Sequence, residues 1–209
     1  MTPDVGHVCC WRCNMLRLTV TSIALAVALA TGAAHAAQDR TDVSFRYGRG
    51  PEPEVRESGG GPFGSFPNLE EWGFEVAWGR ASWPAQFTGQ VMKGSTGHGS
   101  CGWRCGTHLR SQEISFGARR LFSMRKWEPW TGGGIGVVHC DAEGFGTDTS
   151  PFLWAGGGFR WIFPIGMTVG ASVRYAWVPN ASEDEWKEGS VDVGGFHYAA
   201  EIGWRFGAR

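Results

Sequence analysis

The sequence predicts an all-β protein: an eight-stranded antiparallel up-and-down transmembrane β-barrel with a side-chain-filled interior. Three observations carry this. The chain from Phe196 to Phe206 alternates almost without a break, with Phe196, Tyr198, Ala200, Ile202, Trp204 and Phe206 on one face and His197, Ala199, Glu201, Gly203 and Arg205 on the other. Side chains of a strand switch faces at every residue, so this is a strand with one apolar and one polar side. Seven further segments read the same way, and the connections between them are alternately short and long. Beyond the first 36 residues no apolar run approaches the roughly 20 residues a spanning helix needs. A membrane form therefore requires a closed barrel, in which backbone groups pair between strands.

The N-terminal region reads as an export leader. Met15-Leu16-Arg17 is a basic start, Leu18 to Thr31 an apolar core, and Ala34-His35-Ala36 a small-x-small cleavage site. Residues 1–14 are polar and Cys-rich without pattern and are expected to be an over-extended N-terminus. Cys9 and Cys10 have no apolar stretch before them, which argues against lipid attachment there. The barrel domain is expected over residues 37–209, in the oxidising space that export implies.

The first strand is expected at Thr41–Arg49, with Val43, Phe45 and Tyr47 opposite Ser44, Arg46 and Gly48. A long Pro/Gly/Glu loop leads to the second, Glu71–Ala81, where Trp72, Phe74, Val76 and Trp78 oppose Gly73, Glu75, Ala77 and Gly79. A short turn at Ser82–Ala85 precedes the third, Gln86–Gly94. A second long loop, Ser95–His108, leads to the fourth, Leu109–Ser123, with Ile114, Phe116 and Ala118 opposite Glu113, Ser115, Gly117 and Arg119. The basic stretch Met124–Glu128 is expected as a turn. The fifth strand, Pro129–Cys140, is glycine-rich and its faces are the least clear. A medium loop, Asp141–Ser150, precedes the sixth, Pro151–Phe163, and Pro164-Ile165-Gly166 forms a tight turn. The seventh, Met167–Pro179, alternates Val169, Ala171, Val173, Tyr175 and Trp177 with Thr168, Gly170, Ser172, Arg174 and Ala176. The acidic loop Asn180–Val193 leads into the last strand.

The polar faces carry Arg46, Glu75, Glu113, Arg119, Arg160, Arg174, Glu201 and Arg205 among Gly, Ser, Thr and Ala. The interior of an eight-stranded barrel is just wide enough for side chains. Charges of both signs there are expected to pair, because an unpaired buried charge is costly. A plugged barrel, not an open pore, follows. Period-two patterning does not say which face is outward, so a soluble lipocalin-type barrel with the apolar face around a ligand is the structural alternative.

The net charge of −1 gives no reason to expect nucleic acid as a partner. In the loop His98–His108, Cys101 and Cys105 are read as a possible disulfide stapling the loop, with free thiols or an S2N2 metal site as alternatives. Cys140 is then the odd cysteine. No metal and no cofactor are expected. Gly132-Gly133-Gly134-Ile135-Gly136 lacks the following Lys-Ser/Thr of a phosphate loop.

The runs Pro129–Val137, Ala155–Trp161 and Met167–Tyr175, with the last strand, resemble the outer-membrane protein β-barrel superfamily, the group of OmpA-like and opacity-type domains. The resemblance spans most of Thr41 to Phe206. It implies the bacterial outer membrane, with short turns periplasmic, long loops outside, and outer-membrane lipid and lipopolysaccharide as surroundings. A monomer is expected, with an extracellular partner reached through the loops. The last four strands are also similar in layout to PagL-type lipid A deacylases, which carry a His-x-Ser-Asn-Ala run. The corresponding run here is Trp177-Val178-Pro179-Asn180-Ala181. Trp177 stands in place of the base and Pro179 in place of the nucleophile, so no catalysis is expected.

Overall fold

The computed structural model describes residues 39–56, 62–65, 67–80, 82–96, 108–122, 124, 126–142, 146–179 and 190–207. The leader, its cleavage site and the Cys101–Cys105 loop lie outside these residues.

Eight long strands alternate apolar and polar residues and close on themselves. β1 (Asp39–Arg49), β4 (Glu70–Arg80), β5 (Ala85–Ser95), β6 (Leu109–Leu121), β7 (Trp127–Ala142), β8 (Gly146–Ile162), β9 (Met167–Trp177) and β11 (Gly195–Gly207) form a closed barrel. Each pairs antiparallel with its sequence neighbour in the barrel. β1 then pairs with β11 from Arg40↔Gly207 to Arg49↔Tyr198, which removes both sheet edges.

The short connections are tight because their residues permit it. Between β8 and β9 the Gly166 N–H donates to the Phe163 carbonyl at 3.0 Å, and Gly166 adopts φ +92°, a conformation L side chains rarely take. We call the end carrying these turns the turn end and the opposite rim the loop end.

Three short strands occur where the sequence predicted only loop. β2 (Glu54–Arg56) and β3 (Pro62–Ser65) lie in the first long connection and β10 (Ser190–Asp192) in the last. They form a separate sheet in the order β10-β2-β3, so the two connections are tied by backbone pairing. Two boundaries differ by more than the residue or two at the strand ends. Glu128 belongs to β7 rather than to the preceding turn, since β7 already pairs at Trp127↔Trp161 and Glu128↔Arg160. The medium loop expected at Asp141–Ser150 is largely strand: β7 and β8 stay paired out to Ala142↔Gly146. β-branched Thr147 and Thr149 suit this extended ribbon.

The faces resolve without ambiguity, including that of β7. Phe45, Val91, Ile114, Phe116, Ile135, Leu153, Phe159, Val169, Val173 and Ile202 are exposed on the outer wall, Phe116 and Ile135 by 60% or more. Aromatic residues flank them at both ends. Tyr47, Trp72, Tyr175, Trp177, Phe196 and Tyr198 lie toward the loop end, and Trp78, Phe87, Trp127, Trp204 and Phe206 toward the turn end. Tyr175 meets Phe196 edge-on at 5.0 Å and Trp127 meets Trp161 at 4.5 Å. The buried charged residues, among them Asp42, Arg46, Glu75, Glu113, Arg119, Arg160, Arg174 and Glu201, point into the lumen with the small residues of the same faces. The fold is thus a closed eight-stranded barrel with its apolar face outward, the reverse of a lipocalin-type arrangement.

An outer wall of this kind is tuned to hydrocarbon. Phe116→Arg places a charge in the middle of the apolar band and is expected to destabilise the lipid-embedded barrel by about 2–4 kcal/mol. Urea unfolding in lipid vesicles measures this; a cost below 1 kcal/mol would mean that Phe116 does not face lipid.

Candidate functional site in the barrel lumen

The lumen is built in three tiers. At the turn end, Arg205 donates to Asp42 at 2.8 Å and to Glu128 at 2.7 Å, and Arg40 reaches the same two carboxylates. In the middle, Glu75 of β4 accepts from Arg119 of β6 at 2.6 Å, Arg160 of β8 at 2.7 Å and Arg46 of β1 at 3.2 Å. Glu201 takes Arg160 at 2.9 Å and pairs with Arg46 at 3.0 Å. Arg46 also reaches Ser172, and Arg119 donates to Gln86 at 2.9 Å and to Asp42 at 2.9 Å. The turn-end and middle tiers are therefore one network. At the loop end, Arg174 grips Glu113 with both terminal nitrogens, and His197 meets Glu71 at 2.9 Å.

Glycine makes room for this packing. Each central arginine faces a glycine across a strand pair: Arg46↔Gly73, Arg119↔Gly132, Arg160↔Gly170 and Arg174↔Gly156. A Cβ on Gly170 would stand 3.0 Å from the Arg160 Cγ, and one on Gly132 would stand 3.0 Å from the Arg119 Cβ. With no side chain at these points, a long arginine can lie across its neighbouring strand and reach the axis.

All eight charges named from the polar faces line the lumen: Arg46, Glu75, Glu113, Arg119, Arg160, Arg174, Glu201 and Arg205. The structure adds Arg40, Asp42, Glu71 and Glu128, and also His197. Asp42 and Arg40 continue the Ser44/Arg46 face by simple alternation, and Glu71 continues that of Gly73 and Glu75. Within these three tiers Arg40, Arg46, Arg119, Arg160, Arg174 and Arg205 stand against Asp42, Glu71, Glu75, Glu113, Glu128 and Glu201, so their arginine and carboxylate charges cancel.

Above the charges lies an apolar layer of Leu69, Leu109, Val138, Cys140, Phe152, Trp154, Ala176 and Val193. Between this layer and the loop-end charges is a cavity of about 10 Å³, the space of a single water. Glu71, Glu113, Ser111 and His197 are among its walls. The described residues contain no group of three or more His, Cys, Asp or Glu side chains placed to hold a metal ion. Cys140 is a free, buried thiol. Trp177 is exposed on the outer wall at the loop end of β9, where it can serve neither as base nor as nucleophile.

No protein-family model matches the chain, and no curated protein matches it. Solved structures do. Neisserial surface protein A is similar with a TM-score of 0.54 at 12% identity, over 81% of this chain and 97% of that one. The outer membrane protein OprG of Pseudomonas aeruginosa gives 0.52 at 11% identity, over 84% and 99%. Ail, the attachment invasion locus protein of Yersinia pestis, solved with the heparin analogue sucrose octasulfate, gives 0.50 at 14%, over 81% and 99%. The chain has the fold of small eight-stranded outer-membrane barrels.

Removing one arginine of the network leaves an excess buried negative charge shared by the remaining pairs. Arg160→Met is expected to cost about 3–5 kcal/mol. Combining it with Glu201→Met restores the charge balance and should recover part of that loss. Equilibrium urea unfolding of the single and double variants in vesicles reads the difference; equal stability of Arg160→Met and the unmodified chain would mean the network contributes nothing.

Proposed function

We propose that this protein resides in the outer membrane of a Gram-negative bacterium, as a non-enzymatic barrel whose exposed long loops carry a structural or surface-recognition role. The observation that carries the reading is the pairing of an apolar, aromatic-girdled outer wall with a charge-balanced, filled lumen. The wall suits a lipid environment. The lumen leaves no wide path for solute, so transport is not the role it supports.

On this reading residues 15–36 are a cleaved leader and residues 37–209 the mature barrel. The wall contacts lipid and lipopolysaccharide, and the chain works as a monomer. The loops are the part available to partners, and the β10-β2-β3 sheet gives two of them a fixed backbone. That Ail, a barrel of similar fold, was solved in complex with a heparin analogue supports a surface-recognition role. Lipid A deacylation is disfavoured because Trp177 and Pro179 stand where a base and a nucleophile would be needed.

The test is gel mobility of the protein from the membrane fraction, with and without boiling in SDS. A closed membrane barrel resists cold SDS, so a compact band that shifts on heating is expected. Recovery in the soluble periplasm with no shift would overturn the membrane reading. Lipid A from expressing cells is expected to keep its mass; loss of an acyl chain would overturn the non-enzymatic one.

A further inference from the structure

The outward-facing charges at the turn end are unevenly spread around the rim. Arg80 ends β4 and Arg120 stands one residue before the end of β6, both exposed. Alternation puts Arg80 on the outer face with Trp78, and Arg120 on that of Phe116 and Ala118. Lys126, also exposed, follows in the β6–β7 turn. Across the rim, the outward residues at the turn ends of β8, β9 and β11 are Trp161, Met167, Trp204 and Phe206, and the turn Phe163–Gly166 carries no charge. Asp39, at the start of β1, lies opposite Arg80 in register and is the one described carboxylate on this outer rim.

Strand β5 brings the two arginines together. Its register with β4 reaches Trp78↔Phe87, and in the turn beyond it the Trp83 N–H donates to the Arg80 carbonyl at 2.9 Å. Two residues on from that pair Ala85 comes beside Arg80, and Ala85 is itself the register partner of Arg120. The arginines thus flank one alanine on the outer wall. Their Cα atoms are about 10 Å apart, twice the strand spacing, a gap that two side chains of this length span.

Both arginines keep their charge. Among the described residues neither Arg80 nor Arg120 forms an ion pair, whereas each of the six lumen arginines does. The Arg80 Cζ lies 5.4 Å from the centre of the Trp83 ring, and the Arg120 Cζ 5.5 Å from that of Phe122. A ring face holds a cation in place and leaves its charge and N–H donors available. Exposed Trp78, Phe87 and Trp127 complete an aromatic rim beside them.

Two held guanidiniums at the border of an apolar wall suit a phosphate joined to hydrocarbon. Guanidinium binds phosphate oxygens bidentately, and tryptophan settles at headgroup level. A free phosphate would use the charges alone; a lipid also uses the wall, where Phe87 and Phe116 are exposed. We propose that Arg80 and Arg120 clamp the headgroup phosphate of an anionic phospholipid over Ala85, with Lys126 adding to the attraction and the acyl chains lying along Phe87 and Phe116. The inference rests on the outer-membrane reading, which puts the turn end in the periplasmic leaflet.

The experiment is native mass spectrometry of the folded protein in non-ionic detergent, titrated with dioleoylphosphatidylglycerol or dioleoylphosphatidylcholine. The first phosphatidylglycerol is expected to bind about ten- to thirtyfold more tightly than the first phosphatidylcholine, the effect of two cations on one anionic headgroup. Arg80→Gln combined with Arg120→Gln should abolish that preference. Arg49→Gln combined with Arg110→Gln, which removes the same charge from exposed loop-end positions, should keep it. Ala85→Glu sets a carboxylate between the arginines while retaining both; it should lower the preference as far, and it decides the matter where the double variant fails to fold. Equal affinity for the two lipids in the unmodified protein overturns the proposal. So does a preference that survives at the turn-end variants, or one that falls as far in the loop-end pair. The heat-dependent gel shift in phosphatidylcholine vesicles is read alongside. A barrel that inserts and shows no preference sinks the clamp alone, and a chain that does not insert sinks the membrane reading together with it.

Discussion

Glu75 is the point on which the lumen turns. It sits on β4 and accepts guanidinium groups from β1, β6 and β8, so one carboxylate ties together the neighbouring strand, the next but one on its other side and the strand directly across the ring. Ions this deeply buried are tolerated only when their partners are close and their geometry is fixed. That requirement propagates outward. Three arginines must converge on the axis, so the strands they cross must be flat at the crossing. The glycines opposite Arg46, Arg119 and Arg160 supply that flatness. The high glycine content is in this sense a complement to the arginines.

The same requirement sets the outer surface. A lumen occupied by salt-bridged side chains has no room for Phe116, Ile135 or Leu153. Alternation then places those residues outside, where only an apolar medium accommodates so much exposed hydrocarbon. The apolar layer at the loop end is the exception to a polar interior. Leu69, Leu109, Phe152 and Val193 close the top of the network and keep bulk water from its upper ion pairs.

Much of this could be read from the chain because a period-two pattern states both a strand and its faces. Once Phe196 to Phe206 is a strand, Glu201 and Arg205 must share a side. The same logic places Arg46, Glu75, Glu113, Arg119, Arg160 and Arg174. It could not say which side was inward, since a pattern has no sign until the barrel closes. Glu128 was hidden by its position next to Pro129 in a basic stretch that reads as a turn. Asp42 and Glu71 lay at strand starts, where alternation has little context. β2, β3 and β10 span three or four residues in Pro/Gly-rich or acidic sequence, and their pairing is a long-range event that no local signal encodes. His197 was visible on the polar face, but its partner lies 126 residues away.

Closure of β1 against β11 has a kinetic consequence. The two strands are joined by Arg205 and Asp42, 163 residues apart in sequence. Every other barrel pairing is a hairpin or a near neighbour and pays little loop entropy to form. The seam must therefore come last. Until it does, β1 offers one open edge and β11 the other, each with unpaired backbone and a half-neutralised set of charges. The nascent barrel is at that stage an open sheet whose two ends attract one another electrostatically. The Arg46–Glu201 and Arg205–Asp42 pairs, both spanning the seam, would select the correct register as it shuts.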